Sequence, residues 1–269
     1  MYRPVIITFV DILGFKSLIN TCSFEDISAK LKTVLHFSGF NGKEDGEGFE
    51  PRIIQFSDSI IRIRPLDSKT NSEFPYGLAF FEFLDLVHMQ GELVNQGICL
   101  RGGVAIGDVH FEGNMIFGPG FVRAYELESI YATYPRIVVD PKIIESISAD
   151  KRLVSSHNSW EDEVSSIRRS LRREDDGVYS IDYLRSFLGE IDQPEDCPLF
   201  LERHKKLILS NSKAFGELNP VSAKYLWMAH YHNAVIGELQ DEFFEAYEID
   251  RSDLEISTKE MPVLQALGL

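Results

Sequence analysis

Apolar residues fill almost every position from Val5 to Val10, and the run stops at Asp11. A continuous run of this length, rich in β-branched residues, predicts a strand buried on both faces of a sheet. After a Leu13-Gly14-Phe15 turn the period changes to that of a helix. Ser23 with Asp26 three residues later forms a cap, and Ile27, Leu31, Val34 and Leu35 recur at helical spacing. The Gly-rich acidic stretch Asn41 to Gly48 reads as a loop, and Arg52 to Phe56 and Ile60 to Ile63 as the two strands of a hairpin with Asp58 at its tip. Phe80, Phe83, Leu84 and Val87 mark an amphipathic helix from Tyr76 to Gln96, stopped at Gly97. Cys99 to His110 then reads as a strand, Gly113-Asn114 as a turn, Met115 to Phe117 as a short strand, Phe121 to Tyr134 as a helix and Arg136 to Val139 as extended chain. This order predicts an α+β fold, an antiparallel sheet of ferredoxin-like or palm type with helices on one face. Beyond about residue 150 the pattern is mainly helical, with helices expected from Leu199 to Phe215 and from Val221 to Tyr247. The chain therefore divides into residues 1–150 and a C-terminal extension, residues 151–269, expected to pack on the sheet domain.

Charge narrows the partners. With 27 Lys and Arg against 42 Asp and Glu, the formal charge is −15, a repulsive field for a DNA or RNA polymer. A small nucleotide carried with its own cation remains compatible. The three cysteines, Cys22, Cys99 and Cys197, are far apart and lack CxxC spacing, which argues against a disulfide framework or a structural zinc site and for a reducing cytoplasm. Neither a signal-peptide pattern nor a run of the ~18 apolar residues that a membrane span needs is present, so a soluble, cytoplasmic protein without a membrane partner is expected.

Asp11 and Asp58 carry the chemistry. A carboxylate set between apolar strand residues is costly to bury alone, and two that meet are most readily neutralised by divalent cations. They become neighbours if the first strand pairs with the hairpin, and could then hold two Mg2+ or Mn2+ ions for phosphoryl transfer. Each alone also fits a turn-forming or capping aspartate. Arg168, Arg169, Arg172 and Arg173 could bind phosphate, but interleaved with acids between Glu161 and Asp176 they read as a salt-bridged helix surface. His230 and His232 point apart on a helix, which argues against zinc, and Trp227 and Tyr231 share a packing face.

Four motifs in order resemble the catalytic core of class III nucleotidyl cyclases, over about residues 4 to 140. They are Phe9-Val10-Asp11-Ile12-Leu13-Gly14-Phe15, Phe56-Ser57-Asp58-Ser59-Ile60, the strand from Leu100 to Gly107, and Ile116-Phe117-Gly118 with the helix after it. The resemblance implies that Asp11 and Asp58, with the backbone carbonyl of Ile12, hold two Mn2+ or Mg2+ ions. It implies that the amides of Leu13, Gly14 and Phe15 cradle a triphosphate, that Gly118 lets the chain pass beside the nucleotide, and that residues 1–150 are the catalytic domain of a homodimer with sites at the interface. Arg101 matches a residue near the base pocket, and equally fits a structural arginine paired with an acid.

The departures are specific. Val122 and Glu126 stand where adenylate and guanylate cyclases place an Asn and an Arg, Ile54 where they use a base-reading Lys, and Met115 where they use a base-reading Asp. Arg123 becomes the candidate for transition-state charge stabilisation, facing the site or the dimer partner, against the alternative of a solvated helix residue. The Ala124-Tyr125-Glu126-Leu127-Glu128 run, the small size and the helical tail are similar to the Pycsar pyrimidine cyclases of bacterial antiphage defence. That resemblance implies UTP, less readily CTP, as substrate, a 3′,5′-cyclic mononucleotide as product and a separate cyclic-nucleotide effector protein. The rivals are a purine cyclase and a catalytically degenerate nucleotide-binding regulatory module.

Overall fold

The computed structural model describes residues 1–39, 50–113, 115–214 and 220–261. The loop expected at Asn41 to Gly48, Asn114 of the expected turn and the expected helix end at Phe215 lie outside them. Strand β1 (Arg3–Ile12) is followed by helices α1 (Phe15–Thr21) and α2 (Phe24–Phe37), then by the hairpin strands β2 (Arg52–Phe56) and β3 (Ser59–Pro65). The cap expected before α2 forms, with Ser23 Oγ accepting from Asp26 N at 3.1 Å. Next come α3 (Thr70–Glu73), α4 (Leu78–Asn95), β4 (Leu100–Glu112), β5 (Met115–Phe117) and α5 (Pro119–Glu126).

The sheet places β1 between β3 and β4, antiparallel to both, with β2 on the outer side of β3. The order β2-β3-β1-β4 is that of a ferredoxin-like sheet, so the α+β class expected from the pattern is the one observed. Beyond β4 the sheet continues through β6 (Ile137–Val139), which pairs with β4 in parallel.

Alternation along the strands divides the interior. On one face Thr8 Oγ1 donates to Glu82 of α4 at 2.6 Å. Arg62 Nε and Arg64 Nε bind the same carboxylate at 2.9 and 2.7 Å. A fully buried glutamate is sustained only by such pairing. Burial pushes the Glu82 carboxyl up, and the two guanidiniums with the Thr8 hydroxyl outweigh it and bring it down to about 2. The other face carries Val5, Ile7, Phe9, Ile61, Ile63 and Ala105, covered by Ala124 of α5 and Leu127. A short helix thus lies on the second face as well.

Three expectations are corrected. The helix expected from Phe121 to Tyr134 is α5 followed by a π-helical turn, Leu127–Tyr131. After α6 (Lys142–Ala149) and α7 (Trp160–Arg169), the strands β7 (Leu171–Arg173) and β8 (Tyr179–Ile181) join the sheet beyond β6. The first compact unit therefore runs to Tyr183 and not to residue 150, and Arg172 and Arg173 lie on a strand. At three residues each, these strands are too short to show a period of two.

The second unit comprises Val94–Gly97 and Leu184–Leu269. Helix α8 (Tyr183–Leu188) begins at the boundary and is followed by α9 (Cys197–Ala214), α10 (Pro220–Glu238), α11 (Asp241–Tyr247) and α12 (Arg251–Leu254). The helix expected from Val221 to Tyr247 is broken between α10 and α11, where Gln240 is extended and starts the second helix. Trp227 and Tyr231 stack at 5.5 Å along α10. Cys22, Cys99 and Cys197 are free thiols. Among the described residues no helix is long and apolar enough to cross a membrane.

Candidate active site

Asp11 closes the apolar run of β1 and lies directly across from Arg101 of β4. Asp58 sits in the Ser57-Asp58 turn that joins Phe56 to Ser59, with Ser57 at φ 55°. Because β3 pairs with β1 out to Val10 and Ile60, the turn projects beyond the end of that ladder and comes up beside Asp11. The two carboxyls are close enough to share a proton. Burial, that hydrogen bond and the Asp11 charge together raise the Asp58 carboxyl from 3.8 to about 6. Like charges forced together in this way are what a divalent cation relieves.

A fourth member extends the cluster. Arg101 Nη2 lies 3.1 Å from Asp11 Oδ2 and 2.7 Å from Oε1 of Glu128, a residue only 3% exposed. Glu128, Arg101, Asp11 and Asp58 thus form one file, with three carboxyls to a single guanidinium. The approach of Glu128 depends on Gly103, because a Cβ there would lie 2.4 Å from Leu127 Cβ and 2.9 Å from Glu128 N. Glycine lets the π-helical turn rest on the strand backbone. Glu128 closes the Ala124-Tyr125-Glu126-Leu127-Glu128 run, and nothing local in the sequence marks it as a member of the site. The available signal is Arg101 followed at once by two glycines, a cation beside a strand segment that another backbone can approach.

The two aspartates fit a divalent cation, with the Ile12 carbonyl at the end of β1 next to them. Among the described residues no group of three or more His, Cys, Asp or Glu side chains forms a metal cage, so further ligands would have to be backbone, water or substrate oxygens.

Other expected residues separate. The Leu13 N–H donates to Cys99 O at 2.9 Å, so this amide is already used and is withdrawn from the triphosphate cradle. Gly14, at φ 78°, heads α1, and its amide and that of Phe15 belong to the first-turn donors that a helix leaves without intrahelical acceptors. Ile54 pairs with Ile61, which pairs with Phe9, so it lies on the sheet face of Asp11 and packs half-buried on the apolar cluster. Gly118 belongs elsewhere. A Cβ on it would meet Asp108 O at 2.5 Å, and Asp108 is seven residues along β4 from Arg101, roughly 23 Å away at strand rise. Within one chain Gly118 is therefore at the opposite end of the strand from the aspartates.

Arg123 is engaged away from the aspartates, its Nε donating to Asp140 Oδ2 at 2.6 Å and its guanidinium lying 5.6 Å from the Tyr131 ring. It makes no ion pair with Asp11 or Asp58. Val122 is 52% and Met115 51% exposed, while Glu126 stands 3.7 Å from Arg123.

No family model matches this chain, and no curated protein does. Solved structures that resemble it include the guanylyl cyclase Cya2, 15% identical over 68% of this chain and 93% of that one, with a TM-score of 0.42. A bacterial light-regulated adenylyl cyclase is 12% identical over 68% of this chain and 92% of that one, at 0.42. An adenylate/guanylate cyclase/hydrolase from Silicibacter pomeroyi is 16% identical over 67% of this chain and 97% of that one, at 0.37.

Proposed function

We propose that the chain is a nucleotidyl cyclase of class III type that converts a pyrimidine triphosphate, UTP before CTP, to its 3′,5′-cyclic mononucleotide and pyrophosphate. The observation that carries this reading is the Asp11–Asp58 pair, two carboxyls at the end of a β2-β3-β1-β4 sheet with the Asp58 carboxyl raised to about 6 by burial and by its neighbour. In the reaction the ribose 3′-oxygen forms a bond to the α-phosphorus, the bond from that phosphorus to the β-phosphate bridging oxygen breaks, and the hydroxyl proton is lost. Mg2+ or Mn2+ ions held by Asp11, Asp58 and the Ile12 carbonyl would supply acidity to the attacking hydroxyl and charge stabilisation to the phosphates.

The chain's own groups have distinct tasks. Arg101 fixes the Asp11 carboxylate by donating to its Oδ2, and Glu128 in turn fixes Arg101. Above about pH 6 the Asp58 carboxyl gives up its proton and becomes available as a ligand beside Asp11. The Gly14 and Phe15 amides face anionic oxygens from a helix start. Ile54 offers the base an apolar wall without a hydrogen bond, which suits a small base held by backbone groups. Homodimerisation with sites at the interface, action on a separate cyclic-nucleotide effector in antiphage defence and a cytoplasmic setting belong to the same proposal. So does the −15 charge, which disfavours a nucleic-acid polymer as substrate.

A second reading is favoured by Arg123. With its guanidinium committed to Asp140, no residue of α5 presents a free cation to the aspartates, as a nucleotide-binding module without turnover would allow. Incubation with Mn2+ and each ribonucleoside triphosphate, with products identified by mass, separates the readings. Cyclic UMP or cyclic CMP, lost by at least 100-fold in Asp11→Asn, is the expected result. Purine products would replace the substrate assignment, and binding without turnover in folded dimeric protein would favour the module.

A further inference from the structure

The arginine cluster expected to be a salt-bridged helix surface is split by the fold. Arg168 and Arg169 end α7, whereas Arg172 and Arg173 lie on β7. Arg169 bonds Ser166, while the side chains of Arg168 and Arg173 make no hydrogen bond or ion pair with the described residues. In a chain with 42 acids, two arginines left unpaired are conspicuous, and both line one cavity of about 470 Å³.

The sheet register explains how the cavity is built. Val139 of β6 is paired with Tyr179 of β8, which is paired with Arg173 of β7. Residues directly opposite one another project from the same face, so an aliphatic side chain, a phenol ring and a guanidinium stand in one row. Leu171, two residues before Arg173, joins them on that face. Pro141, just before α6, Ile144 and Glu145 of α6 and Arg168 of α7 complete the lining. The result is an apolar floor, an aromatic ring 38% exposed, two cations and one carboxylate.

We propose that this cavity is a binding site for a nucleoside monophosphate, linear or cyclic. The two guanidiniums match the charge and fork geometry of a phosphate, the Tyr179 ring and the aliphatic floor match the faces of a planar base, and the Glu145 carboxylate accepts hydrogen bonds from ribose hydroxyls. The volume falls within the usual range for small-ligand sites, roughly 300–1,000 Å³. All the lining residues lie on β6, β8 and β7, on α6 and α7, or, for Pro141, at the start of α6, and none of them belongs to the aspartate cluster.

The test uses the full chain in EDTA, so that the aspartate site cannot bind nucleotide through a cation. UMP, cyclic UMP, uridine and inorganic phosphate are titrated calorimetrically. We expect saturable binding of UMP or cyclic UMP at one site per chain, at least tenfold tighter than uridine or phosphate alone. The Arg168→Gln/Arg173→Gln variant weakens it at least tenfold, Tyr179→Leu weakens it several-fold, and Asp58→Asn leaves it unchanged. Both arginines are exposed, and unaltered circular dichroism and melting confirm that the variants fold. No binding to the folded wild-type chain, equal binding by the double arginine variant, equal affinity for uridine, or loss of binding in Asp58→Asn would each overturn the proposal. Preference between the linear and the cyclic phosphate identifies the source of the ligand. Because the assay needs no turnover, its failure leaves the cyclase reading standing, and the reverse holds as well.

Discussion

Arg101 Nη2 stands 2.7 Å from Glu128 Oε1. It lies 3.1 Å from Asp11 on its other side. One guanidinium therefore links the catalytic candidate to a carboxylate that lies almost entirely out of solvent.

Removing that guanidinium leaves the carboxylates closer to mutual repulsion. Arg101→Gln should destabilise the metal-free chain by about 1–3 kcal/mol, since a buried carboxylate loses a cationic partner. In a Glu128→Gln background the same change should cost less than ~1 kcal/mol, the remainder being the coupling of the pair. Urea unfolding of the four proteins in EDTA measures this. Equal costs in the two backgrounds would show that Arg101 and Glu128 act independently.

Gly103 governs the geometry from below. An added methyl has no room against Leu127 and the Ala124 carbonyl, 2.4 and 2.5 Å away, so Gly103→Ala must lift the π-helical turn and Glu128 with it. Overpacking of this kind costs typically 1–3 kcal/mol. Gly113, whose Cβ would meet nothing within 4 Å but whose φ is 54°, should lose only ~1 kcal/mol as alanine, the cost of a left-handed backbone. Melting temperatures of the two variants, with product formation by each, compare the effects. A Gly103→Ala protein as stable and as active as the parent would remove the close-approach argument.

What the sequence made legible follows the reach of local physics. The β1 run and the hairpin announce themselves because buried strands require unbroken apolar residues, and the neighbourhood of Asp11 and Asp58 follows once the two pair. Partners far apart in sequence leave no such trace. Asp140 captures Arg123 from 17 residues away, and Cys99 takes the Leu13 amide across the sheet. Both contacts changed the role expected of a residue. Gly118 illustrates the same limit, because its motif is local but its distance from Asp11 is set by the length of β4.

In the helical unit, His204 and His232 bring their Nδ1 atoms to 2.9 Å with both rings fully buried. The Leu254 carbonyl, 2.9 Å from His232 Nε2, can only accept. His232 therefore carries its proton on Nε2 when neutral, and its bare Nδ1 accepts from His204. A proton added to His232 Nδ1 would point at the N–H of its partner. Burial holds His232 down to about 4, against the pull of the Leu254 carbonyl and with Lys205 as a nearby cation. Burial and the second imidazole hold His204 well below its ordinary 6.5. The unfolded chain then binds more protons than the folded one below pH 6.5, so the stability from this pair is full above that pH and is lost as the pH falls toward 4. At ~1.4 kcal/mol per pH unit for each imidazole, the drop from pH 7 to 5 should be on the order of 2–4 kcal/mol. Replacing both rings, as in His204→Leu/His232→Leu, removes the titrating groups together and leaves no donor orphaned between them. Denaturant unfolding followed by tryptophan fluorescence at the two pH values should show the acid sensitivity of the parent reduced by at least half in the double variant. An undiminished drop would mean that other groups govern acid unfolding.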